Sequence, residues 1–193
     1  MAVSAPGDTR ERILRTTLQM IGDHGVGAVT NRRVAREAGV ALGSLTYHFP
    51  DQTDLLRDSL LLYVHEEVAR LAAIADGLRA RRPTPAEVAE EVERLVERSA
   101  SQAGEQAAEL ELHLQAARDP ALREASARCF AAYEGLALAA LEALGVPDPA
   151  PRARAVVTLM SGLAIRRLSS GGRDAAGTAE ALLLLLPSAT PES

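Results

Sequence analysis

Residues 30–49 read TNRRVAREAGVALGSLTYHF. Val34, Ala35 and Ala38 recur at the i, i+1, i+4 spacing that turns small apolar side chains to one face of a helix over about Asn31–Glu37, and Arg32, Arg33 and Arg36 take the opposite face. Gly39 stands where a helix end commonly needs a positive φ, and Val40 supplies the apolar contact that pins the turn. The pair Ala38-Gly39 is small, as two steeply crossing helices require. A second helix over about Leu42–His48 puts Leu45 and Phe49 on one side and leaves Leu42, Gly43, Ser44, Thr46, Tyr47 and His48 largely outside. That outer set mixes small residues with hydroxyls, a phenol and an imidazole, groups that bond phosphate oxygens or base edges.

The flanks extend the pattern. Asp8 and Glu11 fit a capping pair, after which Ile13, Leu14, Leu18 and Ile21 form an apolar stripe that is expected to end at Gly22 and Gly25. After Phe49, Pro50 and Asp51 restart the chain, and Leu55, Leu56, Leu60, Val64 and Val68 carry a long helix onward. Taken together, Thr30, Arg32, Val34-Ala35, Ala38-Gly39-Val40, Gly43, Leu45, His48-Phe49 and Leu55-Leu56 resemble the signature of the tetracycline-repressor (TetR) family.

That resemblance implies an all-α protein: a three-helix helix-turn-helix head over residues 1–50, and a helical ligand-binding and dimerisation domain over residues 51–193, about nine helices in all. It implies binding to a double-stranded DNA operator. Arg32 matches an arginine that family members use on base edges, and a guanidinium grips guanine bidentately. Arg33 is either a phosphate contact or a solvated helix charge. Leu42 and Gly43 are expected nearest the bases, with Leu42 able to touch a thymine methyl. Ser44, Tyr47 and His48 are the phosphate-clamp candidates, and Thr30 bonds a backbone oxygen at the N-terminus of the first helix of the pair. Two positions depart from the family pattern. Thr46 stands where tyrosine is frequent, and Gln52, flanked by Asp51 and Asp54, stands where a lysine commonly faces phosphate.

Charge is divided along the chain. Residues 1–50 hold six Arg against four acids, net +2, whereas residues 51–193 hold fifteen Arg against twenty-two acids, net −7, which makes the overall −5. Phosphate attraction is local on the scale of the Debye length, about 8–10 Å, so an acidic body does not forbid a basic tip. Apolar content of 47% with two Phe, three Tyr and no Trp describes an aliphatic, helix-favouring interior. The single cysteine, Cys129, excludes an intrachain disulfide and points to a reducing compartment. The opening MAVSAPG has no basic n-region, and no apolar run approaches 18 residues, so a cytoplasmic chain without a membrane anchor is expected.

Downstream punctuation predicts a bundle. Gly77 and Arg81 to Pro83 end the long helix; Thr84, Pro85 and Glu87 start another that runs to about Ser101. Gly104 separates a helix with Leu110, Leu114 and Ala117 inward. Asp119-Pro120 caps the next, to Leu144, and after a break over Gly145 to Pro151 come a helix marked by Val156, Val157, Met160, Leu163, Ala164 and Leu168 and a last one over residues 179–186. A terminal helix that is leucine on every side must be covered. The family resemblance implies pairing of the last two helices across a two-fold, so Val156, Met160, Gly162, Leu163, Leu182, Leu183 and Leu186 are assigned to a homodimer interface.

The resemblance also implies a small effector within the bundle. Tyr63, His113, Cys129, Phe130, Tyr133 and Met160 are the candidates to line its pocket, each also a plain core position, and the shortage of inward polar groups suggests a largely apolar ligand. No cofactor or metal is expected, since Glu109 and His113 make at most two ligands at i, i+4 spacing. Ser161-Gly162 and Ser169-Ser170 lack a nucleophile elbow and no glycine-rich phosphate loop follows a strand, so the chain does not read as an enzyme. The competing class is a helical dimeric interaction module that uses no DNA.

Overall fold

The structure, a computed structural model, describes residues 6–81, 83–84, 86–88, 90–91, 94–95, 98 and 103–170. Among these the fold is all-α, with no strand: α1 (Pro6–His24), a 3₁₀ turn (Val26–Ala28), α2 (Asn31–Glu37), α3 (Leu42–His48), α4 (Gln52–Arg81), α5 (Ala103–Ala116), α6 (Pro120–Ala143) and α7 (Pro149–Ser169), together with helical residues at 86–88, 90–91, 94–95 and 98. The helix expected at 179–186, and with it Leu182, Leu183 and Leu186, lies outside the described residues. The chain forms two compact units, one of residues 1–66 and 102–127, the other of residues 67–101 and 128–193. The boundaries fall inside α4, just before α5 and inside α6. The compact units do not follow the expected division at residue 50, which was drawn by role.

In the first unit, Ile13, Leu14 and Ile21 of α1, Val34 of α2, Leu45 of α3, Phe49, and Leu55, Leu60 and Val64 of α4 are buried. Each such side chain removed from water contributes about 1.5–3 kcal/mol. Thr17 and Ser59 sit among them without penalty, because each hydroxyl donates to a carbonyl one turn back, Ile13 O at 2.9 Å and Leu55 O at 2.7 Å. Ion pairs stitch the rim: Arg15 bonds Glu11 at 2.8 Å and Glu66 at 2.6 Å, and Arg57 bonds Asp119 at 2.7 Å.

Two glycines read from sequence as helix punctuation have another role. α1 passes through Gly22 and stops only at His24, where Gly25 takes φ 76°. α5 likewise contains Gly104 within its first turn. A Cβ at Gly22 would lie 2.4 Å from the Gly104 carbonyl oxygen, so α1 and α5 cross backbone to backbone there. α5 also turns a different face inward than expected. Ala108, Leu112 and Ala116 are buried, whereas Leu114 is 63% exposed and Ala117 is exposed.

Other boundaries shift for local reasons. Asp8 falls in the first turn of α1, since the helix starts at Pro6. Gly77 is interior to α4, which a lone glycine does not break. α7 starts at Pro149, within the expected break over Gly145 to Pro151, because a proline suits the first turn, where it has no N–H to leave unpaired.

The second unit has an aliphatic core of Leu71, Ala75, Leu78, Val88, Leu136 and Ala139. The Thr84–Glu87 capping box forms as expected: the Thr84 N–H donates to Glu87 Oε2 at 2.7 Å and the Glu87 N–H to Thr84 Oγ1 at 3.4 Å. These bonds hold the Glu87 carboxyl below its ordinary pKa. Glu67, only 8% exposed, accepts from Tyr133 Oη at 2.8 Å and pairs with Arg70. Burial pushes its carboxyl up, but the bonds from Arg70 and Tyr133 outweigh that and leave it below the usual range. The expected shortage of inward polar groups is therefore corrected: Glu67, Gln106 and Arg167 are all buried.

Candidate nucleic-acid interface

α2 owes its ends to local chemistry. Thr30 takes extended φ/ψ (−132°, 145°) as N-cap and its Oγ1 accepts from the Arg33 N–H at 3.3 Å, which leaves its own O–H free to donate outward. At the other end the Val40 N–H reaches Ala35 O at 2.9 Å, the Gly39 N–H reaches Arg36 O at 3.2 Å, and Gly39 takes φ 64°. This is a Schellman motif, and it turns the chain sharply into α3. Arg12, on α1, adds a bond from Nε to Ala38 O at 3.1 Å and so caps α2 from outside.

α3 is anchored by Leu45 and Phe49, fully buried, which fixes what its other side presents. Leu42 is 43% exposed and Tyr47 82%, and Gly43 and Thr46 are exposed as well. Ser44 and His48 are half-buried. An apolar side chain and a phenol this open to water on a seven-residue helix gain nothing from folding; they are available to a partner. His48 stands between Tyr47, at 5.3 Å edge to face, and Phe49, at 6.4 Å, so it packs and orients its neighbours. The Thr46 hydroxyl donates back to the carbonyls of Leu42 and Gly43, both at 3.2 Å, so it is engaged within α3 itself. Gln52 has a structural use that its expected alignment with a phosphate-facing lysine did not suggest: Nε2 donates to Val29 O at 2.6 Å, tying the start of α4 to the segment before α2.

The arginines of residues 1–50 divide by partner. Arg10 pairs with Asp58, Arg12 with Asp8 at 3.9 Å, Arg15 with Glu11 and Glu66, and Arg36 with Glu37 at 2.9 Å. Among the described residues no ion pair holds Arg32 or Arg33. Arg32 is exposed, and Arg33, half-buried, exerts only a distant pull on Glu37, whose carboxyl is lowered chiefly by its bond from Arg36. The two unspent positive charges thus lie on α2, in the helix pair that presents Leu42 and Tyr47.

The other candidate residues fall in both units. Tyr63 donates to Glu109 Oε2 at 3.1 Å, and His113 Nδ1 meets Ser126 Oγ at 2.7 Å while its Nε2 lies 3.8 Å from Glu109, so Tyr63 and His113 meet through Glu109 in the first unit. Cys129, Phe130, Tyr133 and Met160 belong to the second. Cys129 is fully buried. No group of three or more His, Cys, Asp or Glu able to hold a metal occurs among the described residues. On α7, Val156, Met160 and Leu163 are half-buried and Gly162 is exposed. The outward face of that helix lines an open groove of about 550 Å³ with Pro151, Arg154, Ala155, Thr158 and Leu159.

Two family models match: "Bacterial regulatory proteins, tetR family" over residues 13–58, and "Tetracyclin repressor-like, C-terminal domain" over residues 83–188. The chain belongs to the tetracycline-repressor (TetR) family. Solved structures agree. The transcriptional regulator SCO7518 of Streptomyces coelicolor A3(2) is 29% identical, with 93% of this chain and 99% of that one covered and a TM-score of 0.66. SCO1917, a TetR-family member from Streptomyces coelicolor A3, is 28% identical over 93% and 99%, TM-score 0.68. The multidrug binding protein EbrR, solved with malachite green, is 29% identical over 92% and 98%, TM-score 0.63. No curated protein matches the chain. The protein is thus a TetR-family transcription regulator with an N-terminal helix-turn-helix DNA-binding domain. Among its described residues no helix is long and apolar enough to cross a membrane.

Sequence reasoning missed three residues that support this TetR head. Arg10 stacks over the Phe49 ring at 5.2 Å, Arg12 caps α2, and Gln52 braces Val29. For the arginines a signal existed, in that Arg10, Arg12 and Arg15 crowd the polar side of a short support helix. For Gln52 there was none, since its partner is a backbone carbonyl 23 residues away.

Proposed function

We propose that this regulator is a cytoplasmic, non-catalytic repressor that binds a near-palindromic operator as a homodimer and is released by a small effector. One observation carries the DNA-facing part: of the six arginines in residues 1–50, four are spent on ion pairs and Arg32 and Arg33 are not, and both lie on α2, which packs against the helix that exposes Leu42 and Tyr47. An unpaired surface guanidinium costs nothing in water and is ready to exchange counterions for phosphate or to grip a base. Thr30, with its hydroxyl proton free, Ser44 and His48 complete the proposed contact set, with Gly43 allowing close backbone approach. Thr46 contributes less, because its hydroxyl is spent on α3.

A homodimer is supported by the outward face of α7, where Gly162 and Ile165 stand open to water. Such a face is suited to a second copy of the chain. Effector release is supported by the likeness to EbrR, a multidrug binding protein solved with malachite green and with ethidium. Binding of an effector to a conformer whose heads no longer match the groove spacing would shift the population away from DNA.

The test is fluorescence anisotropy on the gene's own upstream DNA and on scrambled DNA at two salt concentrations. Wild-type affinity falls steeply with salt on both. Arg32→Ala loses about 10- to 100-fold of the preference for operator over scrambled DNA, as expected for one base-reading contact. Tyr47→Ala weakens binding to both DNAs alike. An operator preference unchanged in Arg32→Ala removes the assignment, and affinity indifferent to salt removes the DNA reading.

A further inference from the structure

The interior of the second unit holds a positive charge that has no ion-pair partner among the described residues. Arg167 lies on the inward side of α7 with Ala153 and Val157, only 7% of it is exposed, and neither Nε nor Nη1 has a hydrogen-bond partner among the described residues. Other arginines of α7 are placed differently: Arg152 donates to Pro147 O at 3.1 Å and Arg154 stands 3.8 Å from Glu134, both nearer the surface. The buried carboxylate that the described residues of this unit contain, Glu67, is already bonded to Arg70 and Tyr133 and does not serve Arg167.

A guanidinium keeps its proton throughout the range in which proteins fold. A buried lysine escapes the cost of desolvation by turning neutral; an arginine cannot. A buried charge with two unsatisfied nitrogens is expensive, and an anion bound there during the protein's working cycle would offset that cost. We propose that Arg167 is the anion anchor of the effector site, and that the effector is an amphiphile with an apolar body and one carboxylate. The inference rests on the reading of the chain as an effector-responsive regulator, and it names the ligand class.

The chemistry of the class follows from the surroundings. One guanidinium neutralises one negative charge, and a carboxylate is a singly charged acceptor that an arginine N–H bonds strongly. The turns of α7 that lead to it are apolar on the same side: Leu163 one turn and Met160 two turns before Arg167, both half-buried, with Val157 buried further back. An apolar body fits these and a second charge does not. A cationic ligand would meet Arg167 as a like charge.

The experiment measures thermal unfolding of the full-length protein with decanoate, decanol and decyltrimethylammonium, each below micelle formation, and repeats it on Arg167→Met. Decanoate at ten times its Kd is expected to raise Tm by about 3–6 °C, and the alcohol and the cation are not. Arg167→Met is expected to hold or raise the Tm of the ligand-free protein, because a buried charge is gone, and to weaken decanoate at least tenfold. Should that variant fail to fold, the three-ligand comparison on wild type decides alone. Equal shifts from decanoate and decanol overturn the proposal, as does an unchanged decanoate Kd in Arg167→Met. Absence of any decanoate shift, with Arg167→Met dissociating the dimer in sedimentation, also overturns it and assigns the counter-charge to a carboxylate of the second copy. DNA binding without ligand is read separately by anisotropy. A decanoate shift in a protein that fails to bind DNA would keep the anchor and discard the regulator.

Discussion

The two compact units handle charge in opposite ways. The first keeps its ions at the rim: Arg15 with Glu11 and Glu66, and Arg57 with Asp54 and Asp119, are exposed or half-exposed pairs over an apolar core whose polar members, Thr17 and Ser59, are satisfied on their own helices. The second carries ions inward, with Glu67 and Arg167 both more than nine-tenths buried. Rim pairs contribute little to stability, roughly 0–1 kcal/mol each, but they set helix orientation; buried ions are expensive wherever a partner is lacking. A unit that positions α2 and α3 benefits from the first arrangement. A unit that responds to a ligand benefits from the second, because a ligand changes most where an interior charge is incompletely matched.

The contrast breaks most sharply at Glu67. Glu67→Ala removes an acceptor of Tyr133 and a counter-charge of Arg70, and the expected loss is about 3 kcal/mol, at the low end for a buried pair because Arg70 reaches water. Urea unfolding measures it. A loss no larger than that of a rim pair would erase the distinction between the units.

Next in size comes the helix crossing of the first unit. Gly22→Ala drives a Cβ to 2.4 Å from the Gly104 carbonyl oxygen, a backbone atom that cannot swing aside, and should cost about 1–3 kcal/mol, or roughly 3–10 °C in Tm. Gly77→Ala is the control. Its Cβ would meet only Arg81 Nη2, at 3.9 Å, so the helix-propensity gain of about 1 kcal/mol should appear as slight stabilisation. Equal effects from the two would show that the crossing is not close-packed.

These two glycines also measure how far sequence carries. Residues 30–49 were legible because what shapes them is local: Thr30 caps its own helix, Gly39 needs positive φ for a Schellman turn within five residues, and Leu45 and Phe49 are spaced to anchor one face. Gly22 was misread as a stop because its reason is Gly104, 82 positions on. The inward face of α5 was misassigned for a different cause. Leu110, Leu112 and Leu114 alternate at a spacing that spreads them around a helix, so periodicity does not choose among them. The close approach of α1 chose, by favouring the small Ala108 and Ala116 on either side of Leu112. Of the binding face, the exposed set on α3 was readable, whereas the pairing that leaves Arg32 and Arg33 unspent is local only in part: Arg12, Arg15 and Arg36 each meet an acid within four residues, but Asp58 and Glu66, which hold Arg10 and Arg15, come from α4.

The smallest effect is expected at Asp119, which does two jobs in the first unit. Oδ1 accepts from the Ala121 N–H at 2.9 Å at the start of α6, and Oδ2 accepts from Arg57 Nε at 2.7 Å. The bond from Arg57, with help from the backbone N–H groups, holds the Asp119 carboxyl below its ordinary value. Asn caps a helix as well as Asp does, so Asp119→Asn keeps the first job and removes the charge of the second. A carboxyl lowered in the folded state adds stability above its unfolded pKa, about 3.9, and loses that contribution as pH falls through the lower folded value. Asp119→Asn should therefore melt below wild type at pH 7, by less than Gly22→Ala, and the gap should narrow below about pH 4 and close once both forms carry a neutral side chain. Because the pair is at the rim, added salt should narrow the gap at pH 7 as well. A gap that ignores both pH and salt would mean that Asp119 acts through the cap alone, and that the rim charges of the first unit do not orient α4 against the start of α6.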